Sequence, residues 1–275
     1  MKKALTLLLL AGASALLSGC YTNPVTGRKS LVLLTQGEEV KLGAESFQAV
    51  RQKEKVSQDP AANARVQRIG HRIAEAVGNE LPGAKWEFVV FDSKELNAFA
   101  LPGGKVGVYT GLMQLAENDA ELATVMGHEI GHVIARHGAE RMSEAMVIAG
   151  IGAVGAAVVE AKTDDPATRQ LFALAYGAGT TLGRVLPHSR GNESEADRMG
   201  AIYAARAGYD PRAAITFWEK MSAKKGAAAA SGTKLDALLS THPSDGQRIA
   251  QLRALMPQVV PIYEKARAAR SAQPD

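Results

Sequence analysis

Asn118-Asp119-Ala120-Glu121-Leu122-Ala123-Thr124-Val125-Met126-Gly127-His128-Glu129-Ile130-Gly131-His132-Val133-Ile134-Ala135-Arg136-His137-Gly138 is the stretch from which the rest of the chain can be read. Asn118 and Glu121 make a capping pair, apolar residues recur behind them at helical spacing, and Gly138 closes the run, so the pattern predicts a helix over 119–137. Within it stands His128-Glu129-Ile130-Gly131-His132. Residues four apart share a helix face, so both imidazoles can hold one Zn²⁺ at ~2.0–2.1 Å while Glu129 projects beside them. A metal in that position brings the pKa of a bound water to about 7, and Glu129 can take the proton as general base and hand it to a leaving amine. The bland reading is a helix with two surface histidines; independent prediction of the helix argues against it.

Two histidines leave a catalytic zinc one protein ligand short. Asn192-Glu193-Ser194-Glu195-Ala196-Asp197 can supply it. Glu193 and Asp197 are four apart, so Glu193 can ligate the metal while Asp197 accepts the free N–H of a ligating imidazole and fixes its tautomer. Glu195 points away and is the alternative ligand. Without the histidine motif, this acidic patch would read as a solvated helix N-terminus favoured by the helix dipole.

The chain has 275 residues, 46% hydrophobic and 22% charged, which suits a sizeable core and excludes disorder, collagen and coiled coil. A net charge of only +4 without a basic run gives no support for nucleic-acid binding. The single cysteine, Cys20, excludes an internal disulfide. Its position carries more information. Lys2 and Lys3 precede an apolar run from Ala4 to Leu17 that ends in Leu17-Ser18-Gly19-Cys20. Crossing a bilayer takes ~20 apolar residues, so residues 1–19 read as an export signal rather than an anchor. The Leu-Ser-Gly-Cys ending resembles the bacterial lipobox, which implies cleavage before Cys20 and its acylation. Tyr21 stands where an Asp would resemble an inner-membrane retention signal, so the implied location is the outer membrane, facing the periplasm.

Residues 20–36 read as a lipidated tether that packs on the body and carries no chemistry, 37–255 as the main domain and 256–275 as a C-terminal tail. Thr35 and Glu38 cap a helix to about Val56, and Asp59-Pro60 opens another with Val66, Ile69, Ile73 and Val77 on one face. Lys85–Asp92, Leu96–Ala100 and Lys105–Thr110 read as strands, the last two joined through Pro102-Gly103-Gly104. Ala145–Val159 is apolar but too short to span a bilayer, leaving a core helix, a lid or a membrane-dipping segment. Gly226–Gly232 reads as a flexible joint, and His242-Pro243 as the start of the last core helix.

Four motifs in this order carry a resemblance: His128-Glu129-x-x-His132, Ser189-Arg190 before Glu193-x-x-x-Asp197, Asn97-Ala98-Phe99-Ala100 upstream, and Thr241-His242-Pro243 downstream. Over about Gly37 to Leu255 the chain resembles the HtpX-like, CAAX-prenyl-protease-type zinc metallopeptidases, of gluzincin type. The resemblance implies an α+β, mostly helical zincin-like domain with a small antiparallel sheet or hairpin beside the active-site helix. It implies one Zn²⁺ per chain on His128, His132 and Glu193, with Glu129, Asp197 and His242 in the catalytic machinery. With the lipobox, the chain is most similar to the periplasmic lipoprotein branch, whose members degrade faulty outer-membrane proteins or assist their assembly. The partners so implied are unfolded or misassembled envelope proteins and the outer-membrane assembly machinery, the membrane being reached through Cys20. His188 stands where the family pattern has Tyr.

The remaining candidates are weaker. At the site mouth, where the resemblance puts it, His242 could stabilise an oxyanion or cap the zinc as a neutral ring. Arg248 could position His242 or hold a substrate carboxylate. Asn97, Ala98 and Phe99 could form an exposed sheet edge that pairs with an extended substrate. His137, at the predicted helix end, reads as structural.

Overall fold

The structure is a computed structural model that describes residues 20–148, 168, 189–231, 238, 242 and 246–272. The export signal, His188 and positions 149–159 of the apolar stretch lie outside the described residues.

The chain folds as a mostly helical α+β domain. A small hairpin comes first, with β1 (Cys20–Thr22) antiparallel to β2 (Lys29–Leu31). Helix α1 (Gln36–Lys53) starts at the Thr35–Glu38 capping box, and α2 (Pro60–Val77) at the Asp59 cap with Pro60 in its first turn. Strands β3 (Glu87–Phe91), β4 (Ala98–Leu101) and β5 (Lys105–Tyr109) follow. Then come α3 (Thr110–Leu115), α4 (Asp119–Ile134) and α5 (His137–Ile148). Helices α6 (Arg190–Arg206), α7 (Ala213–Ser231) and α8 (Gly246–Ser271) complete the described fold.

The three-stranded sheet is mixed, in the order β3-β5-β4. The expected hairpin is present: β4 and β5 are antiparallel, joined through Gly103 and Gly104 at φ 87° and 82°, a left-handed region that glycine enters without strain. The wholly antiparallel expectation fails, because residues 92–97 carry the chain past one strand position and β5 returns into the gap, parallel to β3. Phe47, Phe91, Phe99 and Tyr109 pack ring against ring over this sheet and are fully or almost fully buried.

Three further boundaries differ from expectation. Helix α4 stops at Ile134 and the chain turns through Arg136 at φ 56°, so His137 opens the next helix instead of closing this one. Positions 226–231 continue α7 rather than forming a joint, because consecutive alanines have the highest helix propensity of any residue. Helix α8 begins at Gly246, beyond His242-Pro243, and runs through Pro257 and Pro261 to Ser271, with Leu252 and Val259 buried, so no break falls at 255/256.

What positions the site is the crossing of α4 and α6. A Cβ at Gly127 would lie 3.0 Å from the Gly200 carbonyl oxygen, and one at Gly131 would lie 3.2 Å from that of Ala196. At Gly200 it would meet the His128 backbone nitrogen at 2.7 Å. The two helices touch backbone to backbone, which sets His128 and His132 beside Glu193 and Asp197.

Gly200→Ala should therefore force the helices apart, costing about 1–3 kcal/mol in urea unfolding and weakening zinc retention. Gly226→Ala, where an added Cβ meets nothing within 4 Å, should instead be neutral or stabilising.

Candidate metal centre

Helix α4 presents His128 and His132 one turn apart, and α6 brings Glu193 from its first turn, held by a Ser189 cap that accepts from the Asn192 N–H. His242 enters from the segment before α8. The four are buried and offer ligand atoms that all lie within 4.8 Å of one another. His128 Nε2 lies 3.0 Å from His132 Nε2 and 3.5 Å from Glu193 Oε2. His132 Nε2 lies 3.3 Å from Glu193 Oε1. His242 Nδ1 lies 3.2 Å from His128 Nε2 and 3.0 Å from Glu193 Oε1. Tetrahedral bonds of ~2.0–2.1 Å to one centre put ligand atoms ~3.3–3.4 Å apart, so these edges suit a single zinc. A second observation agrees. Glu129 Oε1 is buried with no hydrogen-bond partner among the described residues, 3.5 Å from His242 Nε2 beside the cluster.

Electrostatics act differently on each ligand. Burial alone would raise the Glu193 carboxyl, but His242, Arg248 and hydrogen bonds from His128 and His132 hold it well below the usual carboxylate range. Burial pushes His132 well below its ordinary value, leaving a neutral ring with a lone pair to offer. Burial would lower His128 too, yet its hydrogen bonds to Asp197 and Glu193 lift it to about 9. The Glu129 carboxyl is pushed up by burial, with His242 and His128 opposing.

Residues 60–256, more than half of the chain, match the profile described as Peptidase family M48. The chain belongs to peptidase family M48. It is 38% identical over 201 residues to the mitochondrial metalloendopeptidase OMA1 of Arabidopsis thaliana, covering 72% of this chain and 38% of that one. It is 32% identical over 262 residues to the mitochondrial metalloendopeptidase OMA1 of Bos taurus, covering 92% and 49%. It is 29% identical over 272 residues to the beta-barrel assembly-enhancing protease of Escherichia coli K12, covering 95% and 54%. The chain thus spans about half or less of the length of these relatives. The OMA1 relatives are named as metalloendopeptidases, and the donor set of this chain fits zinc.

The M48 centre has a dense outer layer. Asp197 Oδ1 lies 2.9 Å from His128 Nδ1, the nitrogen turned away from the ligand cluster. Arg248 donates to Asp197 through Nε at 2.5 Å and Nη2 at 2.7 Å, and its Nη1 lies 2.8 Å from Glu193 Oε2. Its guanidinium stacks 3.4 Å over the Trp218 ring, which in turn meets the His128 ring at 5.5 Å and a 64° angle. Arg248 is thus buried behind the ligands, where it fixes two carboxylates, instead of at the mouth where a substrate carboxylate would lie. Trp218 gave no signal in the sequence, because an aromatic in α7 reads as plain core.

Glu195 is turned from the cluster and holds His137 Nε2 at 2.8 Å, along with Arg28. That binding makes it unsuitable as a ligand. His137 is buried beside the site, and the 20–36 segment packs on the body through Asn23, Thr26 and Arg28. Of the substrate-edge residues, Ala98 and Phe99 lie in β4, an edge strand of the sheet, and Asn97 accepts from the Tyr109 N–H just before it. The Phe99 ring is core, so only backbone there could meet an extended chain.

Asp197→Ala should weaken zinc binding by ~10–100-fold with little loss of secondary structure, as removing a carboxylate behind a histidine ligand does. Chelator competition followed by circular dichroism checks both halves.

Proposed function

We propose that this chain is a zinc-dependent endopeptidase of the bacterial periplasm, anchored at Cys20 as an outer-membrane lipoprotein, which hydrolyses peptide bonds in misfolded or misassembled envelope proteins. The observation that carries the peptidase reading is the convergence of His128, His132 and Glu193 with the unbonded Glu129 oxygen beside them. A purely structural zinc needs four ligands but no further buried carboxylate aimed at it.

His128, His132 and Glu193 would hold the zinc, which would supply Lewis-acid activation of a water and of the scissile carbonyl. Glu129 takes the proton from the attacking water and delivers it to the leaving amine. Asp197 and Arg248 keep His128 and Glu193 in register, and the backbone of β4 aligns the substrate strand. His242 turns Nδ1 toward the ligand atoms of His128 and Glu193, where it would serve as a further donor to the metal and cap the site, and substrate access would then require it to move aside.

The compartment rests on the first twenty residues, since the relatives named above include both mitochondrial and E. coli proteins. The name beta-barrel assembly-enhancing protease supports envelope proteins as substrates and the outer-membrane assembly machinery as a partner. The finer likeness to HtpX-like, CAAX-prenyl-protease-type members rests on Ser189-Arg190 and Thr241-His242-Pro243. A second reading, a zinc-binding chaperone with little proteolysis, is favoured by one feature, the closed four-donor arrangement that includes His242.

Degradation of a denatured outer-membrane protein separates the two. Glu129→Gln should abolish cleavage with zinc retained, and His242→Ala should increase it; equal degradation by the unchanged chain and Glu129→Gln would defeat the peptidase reading. If His242 instead stabilised an oxyanion, its removal would cut the rate by ~10²–10³. Cys20→Ala should leave the outer-membrane fraction in cell fractionation, since its acyl chains are the anchor.

A further inference from the structure

His128 has a carboxylate behind it; His132 has a histidine. His132 Nδ1 lies 2.8 Å from His137 Nδ1, and His137 Nε2 lies 2.8 Å from Glu195 Oε2. With Nε2 of His132 turned to the ligand cluster, its Nδ1 carries the proton and donates. His137 can accept at Nδ1 only when its own proton is on Nε2, where it points at the Glu195 carboxylate. Every proton in the row is thereby assigned, from His132 through His137 to Glu195. On an uninterrupted helix, a residue five positions after His132 would face elsewhere. The left-handed turn at Arg136 brings it back, and Arg136 is held there by Glu39 and by the Leu34 carbonyl at 2.7 Å.

The far end of the row is held by the N-terminal segment. Glu195 Oε1 accepts from Asn23 Nδ2 at 2.9 Å and from the Thr26 hydroxyl, and Oε2 accepts from Arg28 Nε as well as from His137. Arg28 gives its two remaining nitrogens to Glu140 at 2.7 and 2.8 Å, which ties the segment to α5. Tyr21 donates to the Ile134 carbonyl at 2.5 Å and the Leu33 N–H to Ser143 at 2.8 Å. Three of the four donors on Glu195 thus come from Asn23 to Arg28. Undocking this segment would leave the carboxylate with His137 alone and free to rotate.

We propose that His137 and Glu195 are positioning residues for His132, and that Asn23, Thr26 and Arg28 clamp them, so that docking of the N-terminal segment and zinc affinity are coupled. The inference rests on the reading of His132 as a zinc ligand. The segment that follows the proposed lipid anchor is then a working part of the metal centre. Since coupling between two binding events is reciprocal, zinc must in turn tighten the docking of that segment.

The test uses the full chain in the Glu129→Gln background, which removes self-cleavage, with zinc itself as the probe in chelator competition and thermal unfolding of the zinc-free protein as the control for stability. His137→Ala and His137→Phe, the second of which keeps a ring in the buried space, should each weaken zinc by ~10–100-fold, and Arg28→Ala by ~3–10-fold. Tyr203→Phe, which removes a hydroxyl of α6 bonded to Glu80 and away from the row, should lower the melting temperature without changing zinc affinity. Zinc affinity within twofold of the parent in both folded His137 variants overturns the positioning role, and unchanged affinity in Arg28→Ala overturns the clamp. Retention of zinc by His132→Ala would instead remove the ligand assignment on which the inference stands. Trypsin cleavage after Arg28 should slow when zinc is bound; equal rates with and without zinc overturn the coupling.

Discussion

The centre depends on how closely two helices approach. Glycines at 127, 131 and 200 let α4 and α6 meet with no side chain between them, and that distance decides whether two imidazoles and a carboxylate can share one ion. Ordinary helix pairs pack with axes 8–10 Å apart, separated by side chains. Here the separating layer has been removed at the crossing, and the polar residues lie just along the helices from it. The apolar core around β3, β4 and β5 then serves mainly to hold α4 in place, so that the metal site inherits the rigidity of a close-packed interior.

Burying so many charged groups together is costly unless each finds a partner, and the arrangement meets this demand in sequence. Arg248 lies between Asp197 and Glu193, its guanidinium face on Trp218. Asp197 faces His128, and Glu195 faces His137. The three carboxylates of the Glu193-x-Glu195-x-Asp197 run therefore have three separate tasks. Alternation along α6 sends the first and third inward and the second to the other flank, where it reaches the same metal centre through an intermediary.

Much of this was readable in the chain. Thr35, Asp59 and Asn118 cap helices where their chemistry predicts, and the spacing of His128, His132, Glu193 and Asp197 points to one shared centre. The failures share a cause, which is that the deciding partner is distant or the local signal is weak. Nothing in the sequence around Arg136 announces a left-handed residue, because the contacts that hold it come from α1 and the connection before it; the helix therefore seemed to continue and His137 seemed to close it. Glu195 was legible only as pointing away or as an alternative ligand, because three of its four donors lie more than 160 residues earlier, in a segment whose turn-rich composition suggested only a tether. The parallel pairing of β3 with β5 was hidden for the same reason, since strand order is a long-range property that alternation of apolar residues does not encode.

The hairpin at the start of the described chain sets a limit on reach. Cys20 is paired with Leu31 across β1 and β2, so the residue proposed to carry the acyl chains is already part of the folded body. A flexible linker of ten residues would let a domain wander over ~16–19 Å, sampling heights and tilts above the bilayer. Here that freedom is missing. A catalytic domain attached in this way would patrol in two dimensions, sliding with its lipid at one fixed elevation, and would cut only chains whose unfolded segments arrive at that layer.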